Sequence, residues 1–431
     1  IQQDNTLGTQ NSIVNNIDAL NKRIDGGFKV DGNLFHSFQE FNVSENGSVY
    51  FANPQGITDI FSRVTGNNPS NIFGKLGVLG NANLFLINPN GIVFGENASL
   101  DVGGSFVATT ADEIQFGEQG VFSAINPQAP QILSINPSAF LFNQIAAQPI
   151  VNKSRADAGK DPSNSFDTFG LRVPDGESFL LVGGDINIDA GGIVAFGGRV
   201  DLASIAGEGR VELNQNENNL SLSLADSASR GNISLTNDAG VIVTAGGGGD
   251  IAFTGRYFDI LVGSSLNAGI LSQLGSVDAQ AGEITLGTTE KITIANPISE
   301  VTNDVNSDAI GDSGDINIIG KSIEINDGAQ VSASTDGKGN AGSINIFGED
   351  TVFVKDSVKD SENNSTFIFN NNISSEAVGD TGGINITTGS LFVNDGAQIQ
   401  SLVSGEGNSG KITINARDLV SLDGRDANDF A

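Results

Sequence analysis

The 431-residue chain contains no cysteine, methionine or tryptophan, and it has one histidine and two tyrosines. Thiol catalysis, disulfide bonds, cysteine-containing metal sites and c-type haem attachment are therefore excluded. Basic residues are also scarce, with 21 Lys and Arg against 51 Asp and Glu, which gives a formal net charge of −30. This charge repels nucleic acid and anionic lipid surfaces, so we expect neither as a partner.

Long apolar runs are missing as well. No run approaches the ~18 apolar residues that a membrane-spanning helix needs. The chain starts at Ile1 and has no methionine anywhere. We therefore expect it to derive from a longer precursor, either by removal of a signal peptide or by excision.

Glycine is abundant, with 56 residues, and it marks an internal repeat. A Gly-x-Ile step recurs eight times, at Gly184, Gly231, Gly249, Gly282, Gly314, Gly342, Gly382 and Gly410. In every copy the residues two and four positions after the glycine are apolar. This period of two is typical of a strand with one buried face.

A longer repeat aligns residues 322–346 with residues 390–414, and 12 of the 25 positions are identical. The irregular spacing of the Gly-x-Ile steps does not fit propeller blades, whereas a coiled solenoid tolerates loops of any length at its corners. The sequence therefore predicts an all-β fold, a right-handed parallel β-helix. A decorated β-sandwich is the alternative.

Outward positions of such coils can form side-chain ladders. The asparagines that follow the first isoleucine of four repeats are the candidates, at Asn187, Asn317, Asn345 and Asn385. They are predicted either to stack as an amide ladder or to stand as independent outward-facing residues. Glycine, and asparagine beside it, would supply the positive backbone dihedrals of the corners.

Before residue 150 the chain is rich in phenylalanine. Six of the ten prolines in the whole chain follow asparagine, and five of these six lie before residue 150. Two of these Asn-Pro turns have matched surroundings, VYFANPQGI at residues 49–57 and LFLINPNGI at residues 84–92. Each predicts an apolar strand, a rigid turn and a strand that restarts at isoleucine.

These turns lie among further characteristic strings, NLFHSFQEFNV at residues 33–43, the segment 60–95 and ASLDVGGSFVATTA at residues 98–111. In this order they resemble the amino-terminal secretion domain of filamentous-haemagglutinin-type exoproteins of two-partner secretion. The resemblance is strong over residues 5–120 and extends to about residue 240. The later repeats resemble the start of the β-helical shaft that such exoproteins carry.

The resemblance implies a β-helix with an amino-terminal β cap, at about residues 1–45, and extra-helical hairpins. It implies a secretion domain over residues 1–240, followed over residues 241–431 by passenger repeats that are truncated without a cap at the carboxyl end. The implied partner is a cognate outer-membrane transporter, with periplasmic POTRA domains and a membrane barrel. The protein would be a monomer, secreted or held at the cell surface, and its secretion domain would nucleate folding of the β-helix outside the cell.

In that family two Asn-Pro motifs are associated with export, one reading NPNL and one NPNGI. The second is intact here, whereas the first departs from NPNL at its last two positions. The resemblance assigns transporter recognition to Asn53, Pro54, Gly56, Asn88, Pro89, Asn90, Gly91 and Ile92.

Two other functions remain open: an adhesin with its own glycan-binding or surface-binding site, and a β-helical polysaccharide lyase or hydrolase. Catalysis would need paired carboxylates across a cleft, or acids with a cation and a base. The acids at the corners are interpreted as solvated, namely Asp185, Asp250, Asp315, Asp327 and Asp395. The only histidine, His36, is interpreted as a packed side chain. We therefore predict that the protein is not an enzyme and has no catalytic residue, cofactor or metal site. The one exception left open is an incidental calcium ion between corner acids.

Overall fold

The structure is a computed structural model that describes residues 1–130, 132–216, 219–356, 366–372 and 374–424. The regular structure of these residues is entirely β-strand, so they include no helix long and apolar enough to cross a membrane. The chain divides into two compact units. Unit 1 comprises residues 1–159, 167–195 and 201–232, and unit 2 comprises residues 160–166, 196–200 and 233–431.

Unit 2 consists of coils whose strands stack in three parallel ladders. Ladder A contains Ile233–Thr236, Asp250–Leu261, Ile284–Ala295, Ile316–Asn326, Ile344–Lys355, Ile384–Asn394 and Ile412–Asp423. Ladder B contains Gly240–Ile242, Ser265–Ile270, Glu300–Val305, Gln330–Ser332, Phe367–Asn372 and Gln398–Val403. Ladder C contains Gly275–Gln280 and Ile310–Asp312, and it continues as single bridges at Lys338, Val378 and Glu406.

From Ile251 to Ile412 the isoleucines of the Gly-x-Ile steps are in register in ladder A of unit 2, whereas Ile233 pairs with Phe258. Ile284, Ile316, Ile344 and Ile384 pair in succession, and all four are fully buried. Burial of one such side chain contributes about 1.5–3 kcal/mol, and only the neighbouring coils can provide that burial. The predicted parallel β-helix is confirmed, and the alternative β-sandwich is wrong.

The repeated NDG corners adopt the predicted positive dihedrals, but on aspartate together with glycine. Asp327 and Gly328 have φ of +57° and +87°, and Asp395 and Gly396 have +58° and +91°. Aspartate tolerates this left-handed region better than most residues because its short side chain can hydrogen-bond locally. The predicted lack of a cap at the carboxyl end falls partly on residues 425–431, which lie outside the described residues.

Unit 1 also contains three parallel ladders. Its ladder A contains Asn33–Glu40, Asp59–Val64, Asn83–Ile87, Phe106–Thr109 and Ser178–Gly183. Its ladder B contains Ser70–Ile72, Ile92–Phe94, Ile150–Asn152 and Ile186–Asp189. Its ladder C contains Asn21–Gly26, Ser48–Ala52, Lys75–Leu79 and Ser99–Asp101. Short strands add Leu171–Arg172, which pairs with Gly192–Val194, and Asp157–Lys160, which pairs with Asp167–Phe169 and has its last residue in unit 2. The strand Arg199–Ser204 is divided between the two units, and unit 1 begins again at residue 201.

Antiparallel strands form the predicted amino-terminal cap. Gln2–Gln3 and Phe28–Val30 both pair with Asn33–Glu40, on the edge that no other coil covers, and Ser12–Asn16 forms a hairpin with Asn21–Gly26. Covering this edge removes a row of unpaired backbone groups that would otherwise invite aggregation.

The predicted extra-helical hairpins form one antiparallel sheet in unit 1. Its strands are Val121–Ser123, Glu113–Gln115, Ala139–Phe142, Gly209–Asn216 and Asn219–Leu224. This sheet covers the outer face of ladder A, where Phe61 lies 5.2 Å from Phe35, 4.6 Å from Phe85 and 5.1 Å from Phe116 between ring centroids. Ladder A is therefore buried on both faces, which explains the phenylalanine-rich sequence before residue 150.

Candidate functional site

The two Asn-Pro turns lie at different corners of the coil in unit 1. The first joins the ladder C strand Ser48–Ala52 to the ladder A strand Asp59–Val64, and the second joins the ladder A strand Asn83–Ile87 to the ladder B strand Ile92–Phe94. The predicted restart at isoleucine is correct at Ile92, but Ile57 lies before its strand. The two similar strings are therefore not equivalent positions of successive coils.

The first turn faces solvent. The Ile57 N–H donates to the Pro54 carbonyl at 3.2 Å, and Gly56 has φ of +81°. Pro54, Gln55 and Gly56 are exposed, and the Gln55 carbonyl accepts a hydrogen bond from Lys29 Nζ at 3.1 Å. A leucine at position 56, as in NPNL, would be strained at this dihedral. The turn as this chain forms it therefore suits glycine at position 56.

The Asn53 amide anchors the first turn to the next coil, with its orientation assigned from its hydrogen-bond partners. Its Nδ2 donates to the Ile57 carbonyl at 3.2 Å. Its Oδ1 accepts from the backbone N–H groups of Asn81 at 3.2 Å and Ala82 at 3.1 Å. Asn53 therefore acts mainly as an acceptor, a role that a carboxylate could also fill.

The second turn is buried and stacks on the corner of the preceding coil. Asn88 has no exposed surface, and its Nδ2 donates to the Asn68 carbonyl and to Ser70 Oγ, both at 3.0 Å. Its Oδ1 accepts from the Asn90 N–H at 2.9 Å, which closes the local turn. Asn88 thus donates two hydrogen bonds through its Nδ2, whereas Asn53 donates one and accepts two from backbone groups.

The rest of the NPNGI motif holds the same corner together. Asn90 Nδ2 donates to the Gly66 carbonyl at 2.8 Å, and the Gly91 carbonyl accepts from the Ser70 N–H at 3.0 Å. Gly91 has φ of +108°, a dihedral that favours glycine. Pro89, Gly91 and Ile92 are buried. No hydrogen bond among the described residues joins this turn to the first one, so the predicted site residues form two separate groups.

A buried polar cluster in unit 1 was not predicted. Its centre is Arg63, the largest fully buried side chain, which donates to Ser37 Oγ, Thr6 Oγ1 and the Ser123 carbonyl at 2.9 Å each and to the Gln128 carbonyl at 3.1 Å. Burial lowers the pKa of Arg63 to about 10, although the nearby charge of Asp4 opposes the shift. One side chain thus ties the amino-terminal segment and the extra-helical sheet to ladder A.

Asp4 is the acidic member of this cluster. Burial by itself would raise the pKa of Asp4, but hydrogen bonds from Thr65, Thr6 and Ser37 hold that pKa below its ordinary value. Thr65 Oγ1 donates to Asp4 Oδ2 at 2.6 Å, and Ser37 Oγ donates to it at 2.9 Å. An arginine between the apolar residues Phe61 and Val64 of the string DIFSRV is the sequence signal that could have revealed the cluster, because a buried arginine requires partners.

His36 is a packed side chain, as predicted. It is fully buried, its Nδ1 lies 3.1 Å from Ser12 Oγ, and its ring centroid lies 5.2 Å from that of Phe51. Burial lowers the pKa of His36 to about 3, so the imidazole is neutral at physiological pH. Its Nε2 has no hydrogen-bond partner among the described residues, and no acid orients the ring as a catalytic triad would require.

The corner acids do more than interact with solvent. Asp250 Oδ1 accepts the Glu283 N–H at 2.9 Å, and Asp315 Oδ1 accepts the Ser343 N–H at 2.7 Å. In both pairs the donor belongs to the following coil. The interpretation as merely solvated is therefore corrected for Asp250 and Asp315, because their carboxylates join successive coils.

The predicted amide ladder is present in unit 2. Asn345 Nδ2 donates to Asn317 Oδ1 at 3.0 Å, and Asn385 Nδ2 donates to Asn345 Oδ1 at 2.9 Å. The fourth candidate, Asn187, lies in unit 1 and pairs in register with Val151. Within the described ranges, no group of three or more His, Asp or Glu side chains is close enough together to hold a metal ion.

Comparison with known families gives one match over more than half of the chain: a family described as TPS secretion domain matches residues 1–253. Two curated relatives from Haemophilus influenzae, each named heme/hemopexin-binding protein, share short segments. One is 37% identical over 83 residues, which is 19% of this chain and 9% of the relative. The other is 35% identical over 75 residues, which is 17% of this chain and 8% of the relative. The matched part thus spans less than a tenth of either relative.

Comparison with solved structures finds a similar fold. The crystal structure of the HMW1 secretion domain from Haemophilus influenzae aligns with a TM-score of 0.56 and 18% identity, over 96% of this chain and 99% of that chain. At this identity the likeness shows the fold alone. The filamentous hemagglutinin secretion domain aligns at 13% identity with a TM-score of 0.35, which is too low to carry an argument.

Proposed function

Because the chain belongs to the TPS secretion domain family, we propose that it directs a large exoprotein to a cognate outer-membrane transporter by binding the periplasmic POTRA domains. The observation that carries the proposal is the family match over residues 1–253, which includes both Asn-Pro turns. The protein would be secreted or displayed at the cell surface, and residues 1–240 would suffice for recognition.

We infer that the transporter reads the second turn before the domain folds. Asn88, Pro89 and Ile92 are buried, and the hydrogen-bonding groups of the Asn88 amide are occupied. A partner cannot contact these groups without opening the corner that they hold together. An extended chain exposes the same residues, and it can pair with a sheet edge of the partner through its backbone.

Folding outside the cell would then proceed coil by coil. Side chains of one coil accept backbone N–H groups of the next, as at Asp312 with Asn340 (2.7 Å), Asn340 with Asp380 (2.9 Å) and Asp380 with Asn408 (2.8 Å). Each acceptor precedes its donor in the chain, so a folded coil presents acceptors to the coil that follows. Repeats that contact only their neighbours can propagate from a capped end in this way.

The test co-expresses the chain with its transporter and measures the fraction that reaches the medium. Asn53→Asp is the most informative variant, because a carboxylate can keep the two acceptor contacts of Asn53 and leave folding nearly unchanged. Asn88→Asp is the corresponding variant of the second turn, and it removes the two hydrogen bonds that Asn88 Nδ2 donates. Phe140→Leu, a core change in the extra-helical sheet, provides a control for lost stability alone.

We expect both Asn→Asp variants to lower export at least fivefold and Phe140→Leu to lower it less than twofold, even though the buried Phe140→Leu change should cost more stability than Asn53→Asp. Export that follows measured stability across all three variants would contradict recognition of the turns. A second measurement is pull-down by the isolated POTRA domains. We expect them to retain denatured chain freshly diluted from urea more strongly than folded chain, and stronger retention of the folded chain would contradict recognition before folding.

A further inference from the structure

A shallow groove with a volume of about 470 Å³ crosses ladder A of unit 2. Two columns of outward-facing side chains line it, and they lie two residues apart along the strands. One column contains Thr285, Asn317, Asn345 and Asn385, and the other contains Ile319, Phe347 and Thr387. The role proposed above for export makes no use of this surface.

The asparagine column provides fixed polar groups without charge. In the ladder, Asn345 uses one N–H to donate to Asn317 and one lone pair to accept from Asn385. A primary amide has two N–H donors and two acceptor lone pairs. Asn317 Nδ2 also donates to Glu283 Oε2 at 3.5 Å. Each ladder amide therefore keeps at least one donor and one acceptor that these bonds do not use, and the bonds between coils hold the amide plane in place. A ligand does not need to order these side chains when it binds.

The second column provides an apolar platform. Phe347 is 49% exposed and Ile319 is 44% exposed, on adjacent coils. An exposed aromatic ring beside fixed amides matches the two surfaces of a sugar ring. The C–H face of the sugar can pack on the aromatic ring, and its hydroxyl groups can bond to the amides.

We propose that this groove binds an extended, neutral glycan that lies along the stacking direction of the coils. Amides recur there at the strand spacing of ~4.8 Å, so successive sugar units would meet similar surroundings. The net charge of −30 repels polyanionic chains, and the lining contains no cationic side chain to attract one. The adhesin alternative raised by the sequence thereby gains a specific binding surface.

The experiment titrates the full chain by isothermal calorimetry with cellohexaose and chitohexaose, which are neutral and extended. Maltohexaose provides a neutral coiled control, and polygalacturonate provides an acidic one. Phe347→Ala removes the platform, and Asn345→Asp adds a charge within the amide column. The matched control is Phe353→Ala. Phe353 is a half-buried aromatic of the same strand that stacks on Phe392 outside the groove, with 4.6 Å between ring centroids.

We expect at least one extended hexasaccharide to bind, and we expect Phe347→Ala and Asn345→Asp each to weaken it tenfold or more. Phe353→Ala should change the affinity less than twofold, and thermal melts followed by circular dichroism should show that each variant is folded. The absence of heat with both extended sugars would overturn the proposal, as would tighter binding of polygalacturonate or equal losses in Phe347→Ala and Phe353→Ala. Sedimentation in which Phe347→Ala converts a dimer to a monomer would assign the groove to a second copy of the chain instead.

Discussion

Two asparagines in similar motifs should lose very different amounts of stability on the same isosteric substitution. Asn88→Asp replaces a buried donor that faces the Asn68 carbonyl at 3.0 Å by an oxygen. Asn53→Asp replaces a half-buried amide whose main role is to accept from Asn81 and Ala82. Both substitutions change the side-chain volume equally, so the difference between their losses of stability reports the contribution of hydrogen bonding.

The expected magnitudes follow from the partners. At pH 7.5, Asn88→Asp places a buried carboxylate against the Asn68 carbonyl, and the hydrogen bond from the Asn90 N–H offsets only part of this cost. We therefore expect a loss of about 2–4 kcal/mol in the free energy of unfolding. Asn53→Asp keeps two backbone donors on its Oδ1 and loses one donor of its own, so we expect a loss under about 1 kcal/mol.

The cost of Asn88→Asp should also depend on pH. Burial raises the folded-state pKa of the new carboxyl above its unfolded value of about 3.9. A group with a raised folded-state pKa is least destabilising at low pH, and its cost appears as pH rises through that pKa. The loss relative to wild type should therefore shrink to about 1 kcal/mol at pH 4.5, where the protonated acid can donate to Asn68 again.

Urea unfolding followed by circular dichroism at pH 7.5 and pH 4.5 measures these losses. Hydrogen exchange of peptides that cover residues 83–95 locates them, because coils that contact only their neighbours can open locally. Equal costs for Asn88→Asp and Asn53→Asp at pH 7.5, or a cost of Asn88→Asp that does not change with pH, would refute this account of the buried corner.

Three further predictions concern unit 1. The pKa of His36 is about 3 in the folded state against 6.5 in the reference state, so its contribution to stability is complete above pH 6.5 and is lost as pH falls toward 3. Wild type should therefore take up about one more proton than His36→Phe when it unfolds at pH 5, and equal uptake would contradict this. Arg63→Lys should cost about 2–4 kcal/mol in urea unfolding, because a lysine cannot reach the four acceptors, whereas the exposed control Arg256→Lys should cost under about 0.5 kcal/mol. Burial and the hydrogen bond that Tyr50 Oη donates to Asp101 Oδ2, at 2.6 Å, raise the pKa of Tyr50 to about 12. A β-carbon at Gly77 would lie 2.4 Å from Tyr50 Cε1 and 2.7 Å from the Asp101 carbonyl oxygen, so Gly77→Ala should displace the ring and the adjoining backbone. The pKa of Tyr50 should therefore fall toward 10 in an absorbance titration, and an unchanged titration would contradict that displacement.

The repeats alone predicted the fold of unit 2 because its strands have a simple period and its core positions are isoleucine. Ile316 and Ile344 stack where the Gly-x-Ile spacing placed them, and Asn317 and Asn345 form the expected ladder. Side-chain contacts between distant segments carry no such period. The partners of Arg63 lie up to 65 residues away in the sequence, so the polar cluster could not be predicted from spacing.

The candidate site was predicted only in part, because its surroundings also depend on contacts between distant segments. The motif letters located both turns, but local sequence does not determine which corner of a coil a turn occupies or what covers it. Similar strings around Asn53 and Asn88 end in an exposed turn and a buried one. The second motif stacks on the corner that residues 66–70 form in the preceding coil, whereas Pro54, Gln55 and Gly56 of the first motif remain exposed. The boundary at residue 240 and the recognition role of the eight motif residues stay predictions.

Burial of the NPNGI corner has a kinetic consequence for the proposed export role. If the transporter reads this motif in the extended chain, folding in the periplasm competes directly with recognition, because the bonds of Asn88 that complete the corner conceal the motif. A variant that folds faster should then be exported less, even when its sequence at both turns is unchanged. The cap is the natural place for such a variant, because the coils stack from that end. A substitution that stabilises the hairpin Ser12–Asn16 with Asn21–Gly26 would therefore raise stability in vitro and lower export in the cell, a combination that a purely structural role of the turn does not produce.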